Sequence, residues 1–343
     1  MGNIFSALNH TLFTDEIIKA AVNLWCEFPS QAAARYGRIE EWDVSEVTNM
    51  SYLFQGQTYF NGDISRWNVS GVTNMRRMFN NAISFNQNLS GWDVSQVTEM
   101  SGMFCDATSF NQDISGWDVS RVKFMIGMFR SAETFNQDLN MWDVPRVTSM
   151  YDMFHGARSF NHDLSGWDVS SVTTMADMFC GATAFNQDIN GWDVSKVKDM
   201  HGMFHGARSF NHDLSGWDVS SVTTMADMFC GATAFNQDIN GWDVSKVKDM
   251  HGMFHGARSF NHDLSGWDVS RVTNMFAMFA GATALVATLS AIRSVSSFFE
   301  GVYRDMPRKE RHVAELSCCF WSITGTSTAP VYPAITITRH PSH

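Results

Sequence analysis

Apolar side chains return along this chain at a fixed interval of 25 residues, marked by Trp42, Trp67, Trp92, Trp117, Trp142, Trp167, Trp192, Trp217, Trp242 and Trp267. Met50 to Met275 fill a second column and Met78 to Met278 a third, with Leu53 as its first member. Phe54 to Phe279 and Phe60 to Phe260 fill two more. A period in this range marks an array of stacked units, because one short unit cannot bury its own apolar face and must lie on its neighbours. Within each unit, Leu/Ile-x-x-Trp-x-Val, as in Leu89, Trp92 and Val94, predicts a short strand with Trp and Val inward. The Val-Thr-x-Met-x-x-Met-Phe that follows has spacings of three and predicts a helical or 3₁₀ return. A once-per-unit methionine column reads as core rather than as a promiscuous groove.

The full repeat is Trp-Asp-Val-Ser-x-Val-Thr-x-Met-x-x-Met-Phe-x-x-Ala-x-x-Phe-Asn-Gln-Asp-Leu-Ser. Ten in-register copies over roughly residues 39–285 resemble the repeat of BspA-type leucine-rich-repeat surface proteins. The fold class expected is an α/β solenoid: a leucine-rich-repeat-like right-handed coil with one short parallel strand per 25-residue repeat and helical or 3₁₀ return segments. The resemblance implies no catalysis, and adhesion or protein binding at a cell surface. The chain departs from it in showing no evident export signal.

Three regions are expected: 1–41 with a helical cap, 42–292 as the solenoid, and 293–343 as a degenerate tail. Residues 14–28 read as an amphipathic helix with Thr14 as N-cap, Asp15 and Glu16 at the positive end of the dipole, and Pro29 as its stop. Ile18, Ala21, Val22 and Trp25 form its apolar stripe, and a second piece from Gln31 to Tyr36 ends at Gly37. Such a helix suits the open end of a solenoid. Met1-Gly2-Asn3-Ile4-Phe5-Ser6 fits the N-myristoylation pattern with Gly2 as acceptor, which would give peripheral membrane contact; a plain apolar start is the alternative. The tail holds four of the six prolines and the run Arg308-Lys309-Glu310-Arg311; cap and disordered extension stay open.

Charge narrows the partners. The formal net charge is −11; residues 1–41 carry 3 basic and 5 acidic groups, and residues 293–343 carry 6 and 4, so the array alone accounts for −11. An acidic array repels phosphate backbones and disfavours nucleic acid, so cationic ions or a basic protein are the more compatible partners. Cys26, Cys105, Cys180, Cys230, Cys318 and Cys319 form no C-x-x-C pair, and no stretch approaches the ~18 apolar residues of a membrane span. The expected location is the cytoplasm or the inner membrane face, with the cell surface as the alternative.

The candidate partner-binding residues are Asp93, Asp118, Asp143, Asp168, Asp193, Asp218, Asp243 and Asp268, with Asp43 and Asn68 in line, all expected on the outer strand face beside Ser. Carboxylates ~4.8 Å apart repel by ~1 kcal/mol in water. Local bonding to Ser, a basic partner or a cation would relieve that cost. A second column, Asp63 to Asp263, precedes the strand and reads as turn capping, and the unbroken Asn61 to Asn261 column as a structural ladder. Just after Met-Phe come His155, Cys180, His205, Cys230 and His255; His201 lies four residues before His205, which would place both on one helical face. His201, His205, Cys180 and Cys230 are thus a weak metal alternative, set against surface His and half-exposed Cys. Residues 153–220 and 203–270 are identical at all 68 positions, so features in both copies count once. No strained elbow or phosphate loop is present, and no catalytic residue or cofactor is expected. The function expected is a non-enzymatic scaffold binding a protein through the Asp/Ser face. An exported adhesion protein and a structural or ice- or mineral-contacting rod are the alternatives.

Overall fold

The computed structural model describes residues 11–285. The Gly2 and 293–343 readings lie outside the described residues. Helices α1 (Ile18–Glu27) and α2 (Pro29–Tyr36) and a 3₁₀ turn (Ile39–Glu41) precede the array, which runs as stacked 25-residue coils. Each coil is held on the next by parallel pairing in register, Asn49 to Asn74 to Glu99 to Phe124, and from Ser149 on to Asn274. The run is interrupted once, between Phe124 and Ser149, in the stretch that carries Pro145.

The pairing is not where the alternation predicted it. From Met50 to Gly56 every second N–H (Met50, Tyr52, Phe54, Gly56) donates to the next coil, at 2.8–2.9 Å. The ladder therefore occupies Thr-x-Met-x-x-Met-Phe, the stretch expected to be a helical return. Trp-Asp-Val-Ser, expected to be the strand, is a chain of tight turns: Val47 N–H closes on Val44 C=O and Trp67 N–H on Ile64 C=O. The spacing of three has its own cause. Leu53 N–H closes on Met50 C=O and Gln57 N–H on Phe54 C=O, so apolar side chains recur once per three-residue turn without any helix. Each coil also passes twice through the left-handed region, as at Tyr52 (φ 62°) and Gly56 (φ 74°). An α-helix admits neither of these.

The inward columns are core, as the period implied. Trp42 to Trp267, Val44 to Val244, Met50 to Met250 and Phe54 to Phe254 are buried. The Phe54–Phe279 column stacks at centroid separations of 5.4–5.8 Å, near-parallel, and the Phe60–Phe260 column at 5.8–6.2 Å. Register sets this geometry, because identical rings one coil apart have no other place to go. Each indole from Trp67 to Trp267 donates its Nε1–H to a carbonyl 28 residues earlier, at 2.8–3.1 Å, so every coil is also bonded through its core. The Asn column is the ladder its sequence suggested. Each Oδ1 from Asn61 to Asn236 accepts the backbone N–H of the next Asn at 2.8–3.0 Å.

The amino-terminal segment covers the first coil. Phe13 donates its N–H to Asp43 C=O and stacks on Trp42 at 4.6 Å, while Ile18, Ala21 and Val22 bury the α1 stripe. Three local expectations change. Thr14 is not the N-cap: α1 starts at Ile18 after Ile17 with no side-chain cap, and Thr14 contributes only its carbonyl, to Ile17 and Ile18 N–H. Pro29 opens α2 at its first position instead of merely ending α1, which its missing N–H allows. Asp15 is not a dipole partner: its carboxylate accepts from Thr48 N–H and Oγ1–H and from Asn49 N–H at 2.7–2.9 Å. It stands in for the preceding coil that the first ladder lacks.

Candidate functional site

The Asp column that follows each Trp stands exposed from Asp43 to Asp268, and every member but Asp143 accepts the N–H of the Ser two residues on, at 3.0–3.2 Å. Asn68, the one amide in the column, makes the same bond through Oδ1. Asp143 is followed two residues later by Pro145, which has neither donor. The side chains point outward as predicted, but from an Asx turn and not from a strand, because the carboxylate competes for backbone N–H groups that a strand would need.

The serine hydroxyl and amide hold the carboxyls of Asp93, Asp118, Asp168, Asp193 and Asp243 below the ordinary carboxylate value of 3.8. For Asp268 the Ser270 amide comes first. Neighbouring carboxylates push back on Asp93 and Asp168, but more weakly than serine pulls. The carboxyls of Asp93, Asp118, Asp168, Asp193, Asp243 and Asp268 are therefore ionised at neutral pH and bonded locally. A group with a depressed folded value stabilises fully above 3.8 and loses that contribution as pH falls through the lowered value. The melting temperature is expected to be level from pH 7 to about pH 4 and to fall below it. A combined Asp93→Asn, Asp168→Asn, Asp193→Asn protein should lose less over that acid limb. Parallel acid curves for the two proteins would contradict this.

The second column makes the same turn. Asp63, Asn88 and the aspartates from Asp113 to Asp263 each accept the N–H of the residue two positions on, at 2.8–3.0 Å. These are the turn caps the sequence suggested.

The His/Cys column stands on the ladder itself. Gly156 N–H bonds Cys180 C=O and Gly181 N–H bonds His205 C=O, each at 2.6 Å, so these residues lie one coil apart along a strand-like stack. The i,i+4 relation of His201 and His205 is consequently not a helical face: tight turns separate them. Of the four weak metal candidates, only Cys180 enters a compact donor group among the described residues. His155, Asp177 and Cys180 offer ligand atoms within 4.8 Å of one another, and all three are half-buried. His155 Nδ1 bonds Asp152 Oδ1 at 2.7 Å, and Arg130 pairs with the other oxygen of Asp152, a residue 3% exposed. The bond to Asp152, with Cys180 beside the ring, pushes His155 up to about 10. Burial raises Asp177, with His201 opposing.

Burial pushes the Cys105 and Cys230 thiols up to about 12 and about 11, so both are protonated at neutral pH and offer no nucleophile. Sequence reasoning missed Asp152 and Asp177. The signal was an Asp three residues before His155 where Gly202 and Gly252 precede His205 and His255.

Comparison with known proteins yields few relatives. No curated protein matches the chain. A crystal structure of a leucine-rich repeat protein from Eubacterium ventriosum is similar at 14% identity and a TM-score of 0.27, over 64% of this chain and 76% of that one. The TLR13–ssRNA13 complex is similar at 11% identity and a TM-score of 0.20, over 78% of this chain and 51% of that one. These low TM-scores add nothing to the fold described above. One family matches residues 24–142, 112–217 and 183–293, and by that match the chain belongs to DUF285, described as a Mycoplasma protein of unknown function.

Proposed function

We propose that the array is a non-enzymatic scaffold that binds a basic protein segment along its Asp column. The observation that carries this reading is a row of exposed carboxylates on every coil but that of Asn68, all but Asp143 oriented by the serine two residues on, with Asp93, Asp118, Asp168, Asp193 and Asp243 held below the ordinary carboxylate value. A charge row ordered before contact loses little freedom on binding and selects partners by sign. The interior supports a surface role. Among the described residues no buried side-chain nitrogen or oxygen lacks a hydrogen-bond partner, so the core holds no orphan polar group for a substrate.

The test uses Asp168→Asn, Asp193→Asn and Asp218→Asn together. Asn68 already makes the Asx turn in this column, so the amide keeps the turn and removes only charge. A lysine-rich extended peptide should bind the unaltered chain at low salt, weaken at high salt, and bind the triple variant at least tenfold less tightly, while circular dichroism shows the fold retained. Equal binding to both proteins would overturn the reading.

A further inference from the structure

The polar cluster on the ladder face is more than a set of neighbouring side chains. We infer that His155, Asp177 and Cys180 form a binding site for one divalent transition-metal ion of the zinc class. This goes beyond the scaffold reading and does not depend on it. The donor set is one imidazole nitrogen, one carboxylate oxygen and one thiol sulfur, the mixture that suits zinc or cobalt and not the oxygen-only preference of calcium or magnesium. Zinc bonds of about 2.0–2.3 Å hold tetrahedral ligand atoms roughly 3.5 Å apart. The three donors here already lie within 4.8 Å of one another, so small side-chain rotations close the site. Three protein ligands leave the fourth position to water.

The support behind the donors points the same way. Asp152 Oδ1 bonds His155 Nδ1 at 2.7 Å, so Nε2 is the ring nitrogen left to serve a metal beside Cys180. Metal-bound histidines are held in this manner, with a carboxylate fixing ring orientation from the far side. Asp152 is itself fixed, its side chain 4% exposed and paired with Arg130. Burying that carboxylate is costly unless its partners need it where it is.

The internal duplication supplies a control within the molecule. His205, Asp227 and Cys230 repeat His155, Asp177 and Cys180 at a distance of 50 residues, within an identical stretch. Identity begins at Met153, so the supporting pair differs: Asp152 is replaced by Gly202 and its partner Arg130 by Cys180 in the second copy. Among the described residues only the copy with the aspartate gathers its three donors. Asp152 (φ 59°) and Gly202 (φ 57°) share one backbone conformation, so the difference is the carboxylate and not the path of the chain. Gly202 contributes in another way: a Cβ built there would collide with Asp177 Oδ1, so the glycine leaves room for the donor carboxylate.

The experiment is a cobalt titration of the full-length chain, with Cys318 and Cys319 changed to serine because two adjacent thiols would bind cobalt themselves. One equivalent of Co²⁺ should give a near-ultraviolet thiolate-to-cobalt band and the visible bands of a tetrahedral ion. Zinc should displace it, and calcium should not. Cys180→Ser should abolish the thiolate band. Asp152→Gly, which only installs the residue native to the neighbouring copy, should weaken binding about 10–100-fold. His205→Ala with Cys230→Ser should change nothing. Absence of the band in the parent chain, its survival in Cys180→Ser, or its loss in the His205→Ala, Cys230→Ser protein would each overturn the proposal. Circular dichroism of each variant separates loss of the site from loss of the fold.

Discussion

Changing Trp142 to alanine is expected to destabilise the array by about 3–5 kcal/mol. Its side chain is 1% exposed and sits between Trp117 and Trp167 at centroid separations of 6.4 and 6.5 Å, with Phe129 at 6.2 Å. Removing the indole opens a cavity that stacked neighbours cannot fill, because each ring is fixed by its own coil. It also takes from Ile114 C=O the Nε1–H that now reaches it at 3.1 Å and leaves it the Trp117 N–H, a loss worth about 0.5–1.5 kcal/mol of the total. Trp142→Phe separates the two contributions, since it keeps a ring and removes the donor. Because coils couple only to nearest neighbours, the alanine variant should also split the array into halves that unfold separately. Urea unfolding followed by far-ultraviolet circular dichroism would then show an earlier midpoint and a shallower slope. A midpoint within error of the parent would refute the stacked-core account.

The architecture was legible because register is a one-dimensional property. Trp42 to Trp267, the Met and Phe columns and the Asn ladder follow from period alone, and the structure places them in the core or, for Asn, in coil-to-coil bonds. The ladder was misplaced because Leu-x-x-Trp-x-Val satisfies the alternation of a strand equally well. What decides against a strand is the polar residue inside it: Asp93 bends the chain by taking Ser95 N–H at 3.1 Å. The left-handed positions were hidden for another reason. Tyr52, Arg77, Asp152 and Ala277 share that conformation with Gly102 and Gly127, so no uniform glycine column advertised it. Trp Nε1 bonds to the preceding coil could not be foreseen without knowing how one turn lies on the next. The site behaved similarly. His155 and Cys180 were visible as a column, whereas their pairing with Asp177 and Asp152 depends on stacking that a helical reading of the return had excluded.

That stacking makes a length prediction with a larger effect than any point change. Deleting residues 153–202 should yield a folded, cooperatively melting protein, whereas deleting residues 153–189 should not fold. The first cut removes one copy of the duplication, so Asp152 meets Met203 in the sequence context it already has with Met153. Every new contact between coils is then one that exists in the parent, from the Phe stack to the Asn ladder. Two coils of buried surface are lost, and the denaturant slope should fall by about a fifth in proportion. The shortened chain also brings Asp152 three residues ahead of His205, so His205, Asp227 and Cys230 inherit the metal-type cluster. The second cut removes one and a half periods. It sets the following coil half a turn out of phase, so that Trp192 comes to lie over Arg130 while Val144, Val147 and Met150 meet Gly206, Ser209 and His212, and no local rearrangement restores the register because each coil is fixed by the one before it. Far-ultraviolet circular dichroism and urea titration of the two deletions distinguish the cases. If the half-period deletion unfolded as sharply as the whole-period one, coil-on-coil register would not be what holds this protein together.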